Sequence, residues 1–547
     1  MRAVLVGAEY EENLAVRYLA AALRQAGHEA VIVAFDRAAD LHAVAAAILD
    51  AAPDLVGLSI AFQHRAREFL ELAAALRAGG YRGHVCAGGH VPTAAWRELL
   101  ASAPAVDTVV RHDGEATLVE LCAALGEPAR WPTIPGVCAR DAAGAPAAAP
   151  ARRQLDELDA LPFPVRDKPH ALHAGVPFTT LSGSRGCFAD CNYCCINTWH
   201  RTALGKRFRS RSPANIAEEM ARLYHERGVR IFCFHDDNFF LPSPPKTRRR
   251  LAALQRELDA RGVGTVAYVA KCRPDELDAA LLTEARAMGF LRLYVGVENG
   301  SAAGLRNLNR LHDLATTRGA LQLLRDAGVY ACYNVLLFEP DTTLADIAEN
   351  IAFIAENADF PFNFGRTEIY AGTKYERMLA AAGRLRGTFL GYTYRIADDE
   401  AEVMFRLCAV AFQVRNFSDA ALANQNSGLG YEAAVLRHFC PGPRADELAA
   451  RAAALSRAIS DDTITHLRAA HDFVARGAWR DARAAQDFTA DLATRINLRN
   501  LELGATLEEL KLAIRAHGLA RRLHAGATAA GSPGQGNAHA ALRPRPA

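Results

Sequence analysis

Short apolar runs alternate with longer amphipathic stretches along the first 126 residues. "RAVLVGA" (2–8), "EAVIVAF" (29–35), "LVGLSIAF" (55–62), "HVCAGG" (84–89) and "VDTVVRH" (106–112) predict five strands. Between them, residues 14–27, 41–51, 65–78, 93–102 and 114–126 carry apolar positions at helical spacing, and Gly27 stops the first of these. Strands alternating with helices predict a doubly wound parallel sheet, whose ligands sit at the carboxyl ends of the strands. Periodicity is lost over 127–175, apart from a hairpin signal in "GVCARDAAGAP". A second series follows, with strands expected at 178–182, 230–235, 265–270, 291–297, 330–337 and 364–370. Helices are expected at 213–227, 247–261, 276–288, 315–327 and 344–356. Six such units predict a parallel barrel or partial barrel, with its chemistry at the strand carboxyl ends. Beyond residue 376 the strand signals fade, and 399–415, 445–458, 461–475, 478–495 and 505–523 read as helices. The Ala/Gly/Pro-rich end reads as a disordered tail.

Bulk properties narrow the function classes. The formal net charge of +2 gives no field for nucleic acid or an anionic membrane. No apolar run approaches the ~18–20 residues of a membrane span. "MRAVLVGAEYEEN" lacks the features of a secretion signal. The twelve cysteines are thinly spread apart from one cluster. Reduced thiols and a cytoplasmic location are expected.

That cluster is "GCFADCNYCC" (186–195), directly after the first strand of the second series. Cys187, Cys191 and Cys194 have C-x3-C-x2-C spacing, which suits a metal or an iron–sulfur cluster. His200 would complete a Cys3His zinc set, although structural zinc usually takes paired C-x2-4-C knuckles. Cys195 adjoins Cys194, and neighbouring side chains seldom converge on one ion.

The cysteine loop, with aromatic Tyr193 before its last cysteine, resembles the signature of the radical S-adenosylmethionine (SAM) superfamily. The resemblance implies a [4Fe–4S] cluster on Cys187, Cys191 and Cys194, with SAM on its open iron. It leaves Cys195 as a packing or pocket thiol and puts Tyr193 on the adenine side. Asp236 and Asp237, ending "IFCFHDD", then stand where polar groups meet the SAM ammonium. Glu298 in "LYVGVENGS" would bind the SAM ribose, with Gly296 and Gly300 giving room, and Arg273 is a candidate for the SAM carboxylate. Tyr333, Asn334, Arg366, Glu368 and Tyr370 are candidates to face the substrate.

The preceding sheet domain resembles the cobalamin (B12) domain of B12-dependent radical SAM enzymes, on "EYEENLAVRYLAAAL", "GLSIAF" and "CAGGHVPT". There Ser59, Gly88 and Gly89 would border the corrin's nucleotide tail. Glu115, in "VVRHDGEATLVEL", is read as favouring its helix start. The D-x-H-x-x-G cobalt-ligand motif is missing, and Gln63 and His64 are candidates to lie under the cobalt. No G-x-G-x-x-G follows the first strand, which argues against a dinucleotide.

The organisation implied is a Rossmann-like B12-type domain at 1–127, a linker at 128–175, and a partial TIM-like radical SAM barrel at 176–375. A helical domain at 376–525 and a disordered tail at 526–547 complete it. The family chemistry implied is methylation of an unactivated carbon, through a 5′-deoxyadenosyl radical and methylcobalamin. Cyclisation, ring contraction or oxidation on the same architecture is the alternative. A radical SAM enzyme whose first domain no longer binds B12, or a non-catalytic corrinoid carrier or sensor, are two others. The implied partners are a small-molecule or peptide substrate and a low-potential electron donor such as flavodoxin or ferredoxin.

Overall fold

A computed structural model describes residues 1–418 and 420–530. The first unit is a seven-stranded sheet of order β2-β1-β3-β4-β5-β6-β7. Its parallel strands are β1 (Arg2–Gly7), β2 (Glu29–Ala34), β3 (Leu55–Ser59), β4 (His84–Gly88) and β5 (Thr108–Val110). They are apolar runs because helices cover both faces. Val4, Val6, Val56 and Leu58 pack against Phe69 and Leu72 of α3 (Ala66–Ala78) and Ile48 of α2 (Leu41–Ala51). Leu5 and Leu55 pack on the opposite face against α1 (Leu14–Gln25) and α6 (Glu115–Ala123). α4 (His90–Ala94) and α5 (Trp96–Ser102) replace the single helix expected at 93–102. The hairpin expected after residue 136 forms as β6 (Val137–Arg140) and β7 (Pro146–Ala148), and it extends this sheet antiparallel to β5. The segment read as a linker therefore carries the edge of the first sheet.

The second unit is a curled sheet of order β16-β15-β14-β13-β12-β9-β8. β8 (Ala171–His173) pairs antiparallel with β9 (Val176–Leu181). β12 (Ile231–Phe234), β13 (Ala267–Cys272), β14 (Phe290–Glu298), β15 (Tyr330–Phe338) and β16 (Phe362–Arg366) continue it in parallel. Its two edges do not pair, so the barrel is partial, as expected. A two-residue ladder, β10 (Ser184–Arg185) with β11 (Arg209–Ser210), pins the loop that carries the cysteines, and α7 (Cys195–Thr202) follows it. The convex face is covered by α8 (Pro213–Arg227), α9 (Pro244–Ala260), α10 (Ala279–Met288), α12 (Leu314–Ala327) and α13 (Leu344–Glu356). α11 (Ala302–Asn307) and α14 (Lys374–Ala381) are short pieces in the connections.

The C-terminal region departs from expectation. A hairpin, β17 (Leu385–Thr388) and β18 (Gly391–Tyr394), precedes α15 (Asp399–Ala411) and a π-turn at Gln413–Phe417. α16 (Leu422–Phe439) was not expected, because its start, "LANQNSGLG", reads as loop. Leu429 and Leu436 hold it in the core, and Tyr330 donates to Ser427 O at 3.0 Å. α17 (Pro443–Ala475) is one helix where two were expected, and α18 (Ala482–Ala530) likewise. The polar "SDDT" inside α17 is tolerated because Asp462 pairs with the buried Arg415 at 2.8 Å. Of the tail read at 526–547, residues 531–547 lie outside the described residues. α16, the first half of α17 and the middle of α18 fill the concave side of the partial barrel, against Val269, Leu291 and Cys233, while Ile464, Leu467, Leu492 and Ile496 pack in the core shared with α13 and α15. No helix among the described residues is long and apolar enough to cross a membrane.

A buried ionic seam joins the two sheets. Arg166 donates to Glu12 Oε2 at 2.5 Å and to Glu219 Oε1 at 2.9 Å. Glu12 also accepts from the Thr179 hydroxyl and from Thr180 N at 3.3 Å, and Arg211 reaches Glu219 Oε2 at 2.6 Å. Nearby, Glu11 meets His235 at 2.9 Å, and Arg185 donates to Glu115 at 2.6 Å. Removing one member strands the others away from water. Arg166→Met is expected to cost about 3 kcal/mol, read as an earlier guanidinium unfolding midpoint. An unmoved midpoint would contradict the seam.

Candidate functional site

The cysteine loop leaves β9 at the carboxyl end of the curled sheet, and its backbone is set by Gly186. That residue sits at φ +101°, and a Cβ there would lie 1.8 Å from Arg207 O. Its N–H donates to Asp237 Oδ2 at 2.8 Å. Farther along, Asn309 Nδ2 donates to Asp190 O at 2.6 Å, and Asn192 Nδ2 to Asn307 O at 2.7 Å, so the 307–312 loop straps the cysteines. Cys187, Cys191 and Cys194 line one cavity of about 480 Å³ with Tyr193. Burial pushes the Cys187 and Cys194 thiols up, so metal binding there must release protons. Cys194 is the N-cap of α7, and Cys195 begins that helix outside the cavity lining. His200 turns away from the thiols and meets Asp237 Oδ2 at 3.3 Å, so a Cys3His set does not form. Among the described residues no three His, Cys, Asp or Glu side chains close on a single ion. A mononuclear zinc site needs that convergence, whereas a multi-iron cluster accepts thiolates set wider apart.

The expected SAM-side residues separate. Asp237, Arg273, Glu298 and Gly296 line the same cavity. Asp236 does not: it is buried, accepting from Gly183 N at 2.7 Å and Ser184 Oγ at 2.5 Å, and serves the loop. Gly300 packs on Phe353 rather than on the cavity. Arg273 uses Nε and Nη2 on Asp275, at 2.9 and 3.1 Å, while its buried Nη1 has no partner. One guanidinium donor of Arg273 is thus left unused by the protein. Glu298, at φ +62°, stands on an irregular end of β14. Holding a non-glycine residue there costs on the order of 1–3 kcal/mol, the kind of strain found at ligand sites. Sequence reasoning missed Arg310. Buried between left-handed Asn309 and Leu311, it donates to Cys191 Sγ at 3.2 Å, Gly296 O at 2.6 Å and Tyr193 Oη at 3.4 Å. Nothing in "LNRLHD" marks it, because its role depends on a backbone conformation.

Of the residues considered for substrate, Tyr333 and Asn334 border the cavity. Arg366 bonds Tyr394 O instead, and Glu368 is bonded by the Tyr370 hydroxyl.

A second cavity, of about 560 Å³, opens at the carboxyl ends of β1 and β3. The strand order 2-1-3-4-5 reverses direction there, the place where such sheets take ligands. Its deep slot is apolar, with Leu5, Gly57, Val110 and Leu118, and Ser59, Gly88 and Gly89 line it. Gly89 has φ +103°, and a Cβ would lie 2.7 Å from Ile60 O. His112 lines it too, 7% exposed, with both ring nitrogens unpartnered, and burial depresses its pKa to about 4. A slot for an aromatic tail below a rim of unfilled polar groups fits cobalamin. Gln63 does not reach this space. It bonds Ile369 O and Ala371 N, both at 2.8 Å, and so joins the two units. His64 is exposed beside Phe62. Glu115 does more than start α6, since it pairs with Arg185 across the seam. Asp237 lines both cavities.

The family model "B12 binding domain" matches residues 3–122, and the model "Radical SAM superfamily" matches residues 181–354, together more than half of the chain. The chain belongs to the radical SAM superfamily and carries a B12-binding domain. A radical SAM domain implies a [4Fe–4S] cluster and SAM, and the B12 domain implies cobalamin. This radical SAM protein is 27% identical over 258 residues to the anaerobic magnesium-protoporphyrin IX monomethyl ester cyclase of Synechocystis sp.. That alignment covers 44% of the chain and 47% of the cyclase. It is 26% identical over 339 residues to the hopanoid C-3 methylase of Methylococcus capsulatus, covering 60% of the chain and 61% of the methylase. The radical SAM protein thus spans about half to three-fifths of the length of these relatives. Its fold is similar to the cobalamin-dependent SAM radical enzyme OxsB, with TM-score 0.68 at 16% identity, over 96% of this chain and 83% of that one.

Two outcomes check the site of this radical SAM protein. After anaerobic reconstitution, Cys187→Ser, Cys191→Ser and Cys194→Ser should each lose most of the bound iron, and Cys195→Ser should keep it. Iron retained by the first three would remove the cluster assignment. Gly89→Ala should weaken hydroxocobalamin binding at least tenfold, read by absorbance titration, because the added methyl collides with Ile60.

Proposed function

We propose that this chain is a cobalamin-dependent radical SAM methyltransferase acting on an unactivated carbon. The observation that carries the reading is the single wall, at Asp237, between the cavity bearing three cysteines and the cavity in the B12 domain. When bound, the cluster with SAM supplies a 5′-deoxyadenosyl radical, and the cobalamin supplies a methyl group. The side chains organise the space around that chemistry. Cys187, Cys191 and Cys194 hold the cluster and leave room for SAM beside Asp237. Arg273 Nη1 meets the SAM carboxylate, Glu298 accepts from its ribose hydroxyls, and Tyr193 sides with the adenine. Ser59, Gly88 and Gly89 border the corrin's tail. The C-terminal helices close the concave side and limit access of water. A low-potential donor such as flavodoxin or ferredoxin provides the electron, and the substrate is a small molecule or a peptide.

The hopanoid methylase among the relatives supports methyl transfer, and the protoporphyrin ester cyclase supports a second reading, radical cyclisation. Product analysis separates them. Reconstituted with cluster, cobalamin, SAM and reductant, the protein should form both 5′-deoxyadenosine and S-adenosylhomocysteine, the latter only when cobalamin is present. 5′-Deoxyadenosine alone would favour cyclisation. Neither product would end the radical SAM reading.

A further inference from the structure

The cavity lined by the cysteines is electrostatically lopsided. Among the described residues that line it, its carboxylates are Asp237 and Glu298, at the strand ends beside the cysteine loop. Its far end is built one layer deeper. There Lys271 pairs in register with Tyr294 and Tyr294 with Cys332, and two residues nearer the strand ends Asn334 pairs with Asn363. Lys271 precedes Arg273 by two residues on an extended chain, so it lies about 6–7 Å deeper than the donor assigned to SAM. The floor is α16, through Asn424 and Ser427.

Charge at this deep end is unbalanced. Lys271 is exposed to the cavity and, among the described residues, has no hydrogen-bond or ion-pair partner for its ammonium. Below it, Arg292 is 6% exposed and also has no carboxylate partner. Its Nη2 reaches Cys332 Sγ at 3.3 Å and Ser427 Oγ at 3.4 Å, its guanidinium lies over the Tyr294 ring, and its Nε is unpartnered. Lys271 lining the cavity and Arg292 buried behind it, neither of them in an ion pair, raise the affinity of this end for an anion, partly offset by the more distant Glu11 carboxylate. The rest of the lining is polar but uncharged. Asn363 donates to Asn424 Oδ1 at 2.9 Å, which leaves the Asn424 amide nitrogen free, and the Asn334 side chain has no partner. A hydrocarbon placed here would strand these groups away from water, at a cost of about 1–3 kcal/mol each.

We propose that the deep end of this cavity binds one anionic group, a phosphate or carboxylate, held by Lys271. The substrate body would present hydroxyl or amide groups to Asn334, Asn424 and Ser427. The proposal rests on the substrate entering the cavity that the three cysteines open onto, and it names the substrate's chemical class. It separates this chain's substrate from a purely apolar one.

The test uses the reconstituted holoenzyme with SAM bound and three probes sharing one body: ribose 5-phosphate, riburonate (ribose oxidised to a carboxylate at C5) and ribose. Ligand-observed NMR should detect the two anions and not ribose. Tighter ribose 5-phosphate assigns a phosphate site, and tighter riburonate a carboxylate site. Lys271→Met should weaken the preferred anion about tenfold, and Lys271→Arg should restore most of it. Iron content and the cobalamin spectrum should match wild type in both variants, which separates lost binding from lost folding. Equal binding of ribose and the anions would overturn the proposal. So would anion binding unchanged in Lys271→Met, or a Lys271→Met variant that loses SAM instead of the probe. Lost probe selectivity with 5′-deoxyadenosine formation intact overturns the substrate class alone. Probe binding without 5′-deoxyadenosine overturns the proposed function alone.

Discussion

Everything about the relation between the two cavities depends on the ionic seam around Arg166. Burying a guanidinium and two carboxylates is expensive, and the interaction is worthwhile only when every lone pair is used. Here Glu12 accepts from Arg166, Thr179 and Thr180, while Glu219 is shared between Arg166 and Arg211. Such a set has few satisfactory alternatives. A relative rotation of the sheets by a few degrees would break several short bonds together. The seam therefore acts less as glue than as a register, fixing where the carboxyl ends of one sheet face those of the other. The loop after β1, where related B12 domains place a cobalt-ligating histidine, is used in this chain for that purpose. Glu9, Glu11 and Glu12 all point from it into ion pairs.

The sequence made the architecture legible wherever periodicity and burial coincide. The five apolar runs of the first domain and the six of the second fall on strands, because each is buried on both sides and must be apolar throughout. The C-terminal helices were less legible. "LANQNSGLG" carries turn-type residues, and "SDDT" carries charge, yet both lie in helices because tertiary partners supply what the local chain does not. In the same way, the cysteine spacing was readable because three ligands share one loop. Arg310 was not, since it reaches Cys191 only through two left-handed neighbours. Asp236 and Asp237 illustrate the limit most sharply. Beyond the end of β12 the chain bends, and only the structure shows which of the two neighbours sees the cavity.

The site also shows a division of labour among cations. Arg310 supports a cysteine, Arg273 keeps one donor in reserve, and Lys271 stands free. Each is progressively less committed to the protein itself.

The hairpin β17–β18 carries a different kind of information. Its Phe389 is buried in the hydrophobic core of the first domain, and Gln63 from that domain clasps the backbone at Ile369 and Ala371. Residues some 300 positions apart thus complete one another's interior. Cut away from the barrel, the first domain would keep its sheet but lose a core side chain and leave an amide without partners. Evolution can exchange modules that meet across a wet surface. It cannot easily exchange these two, so they should be inherited together.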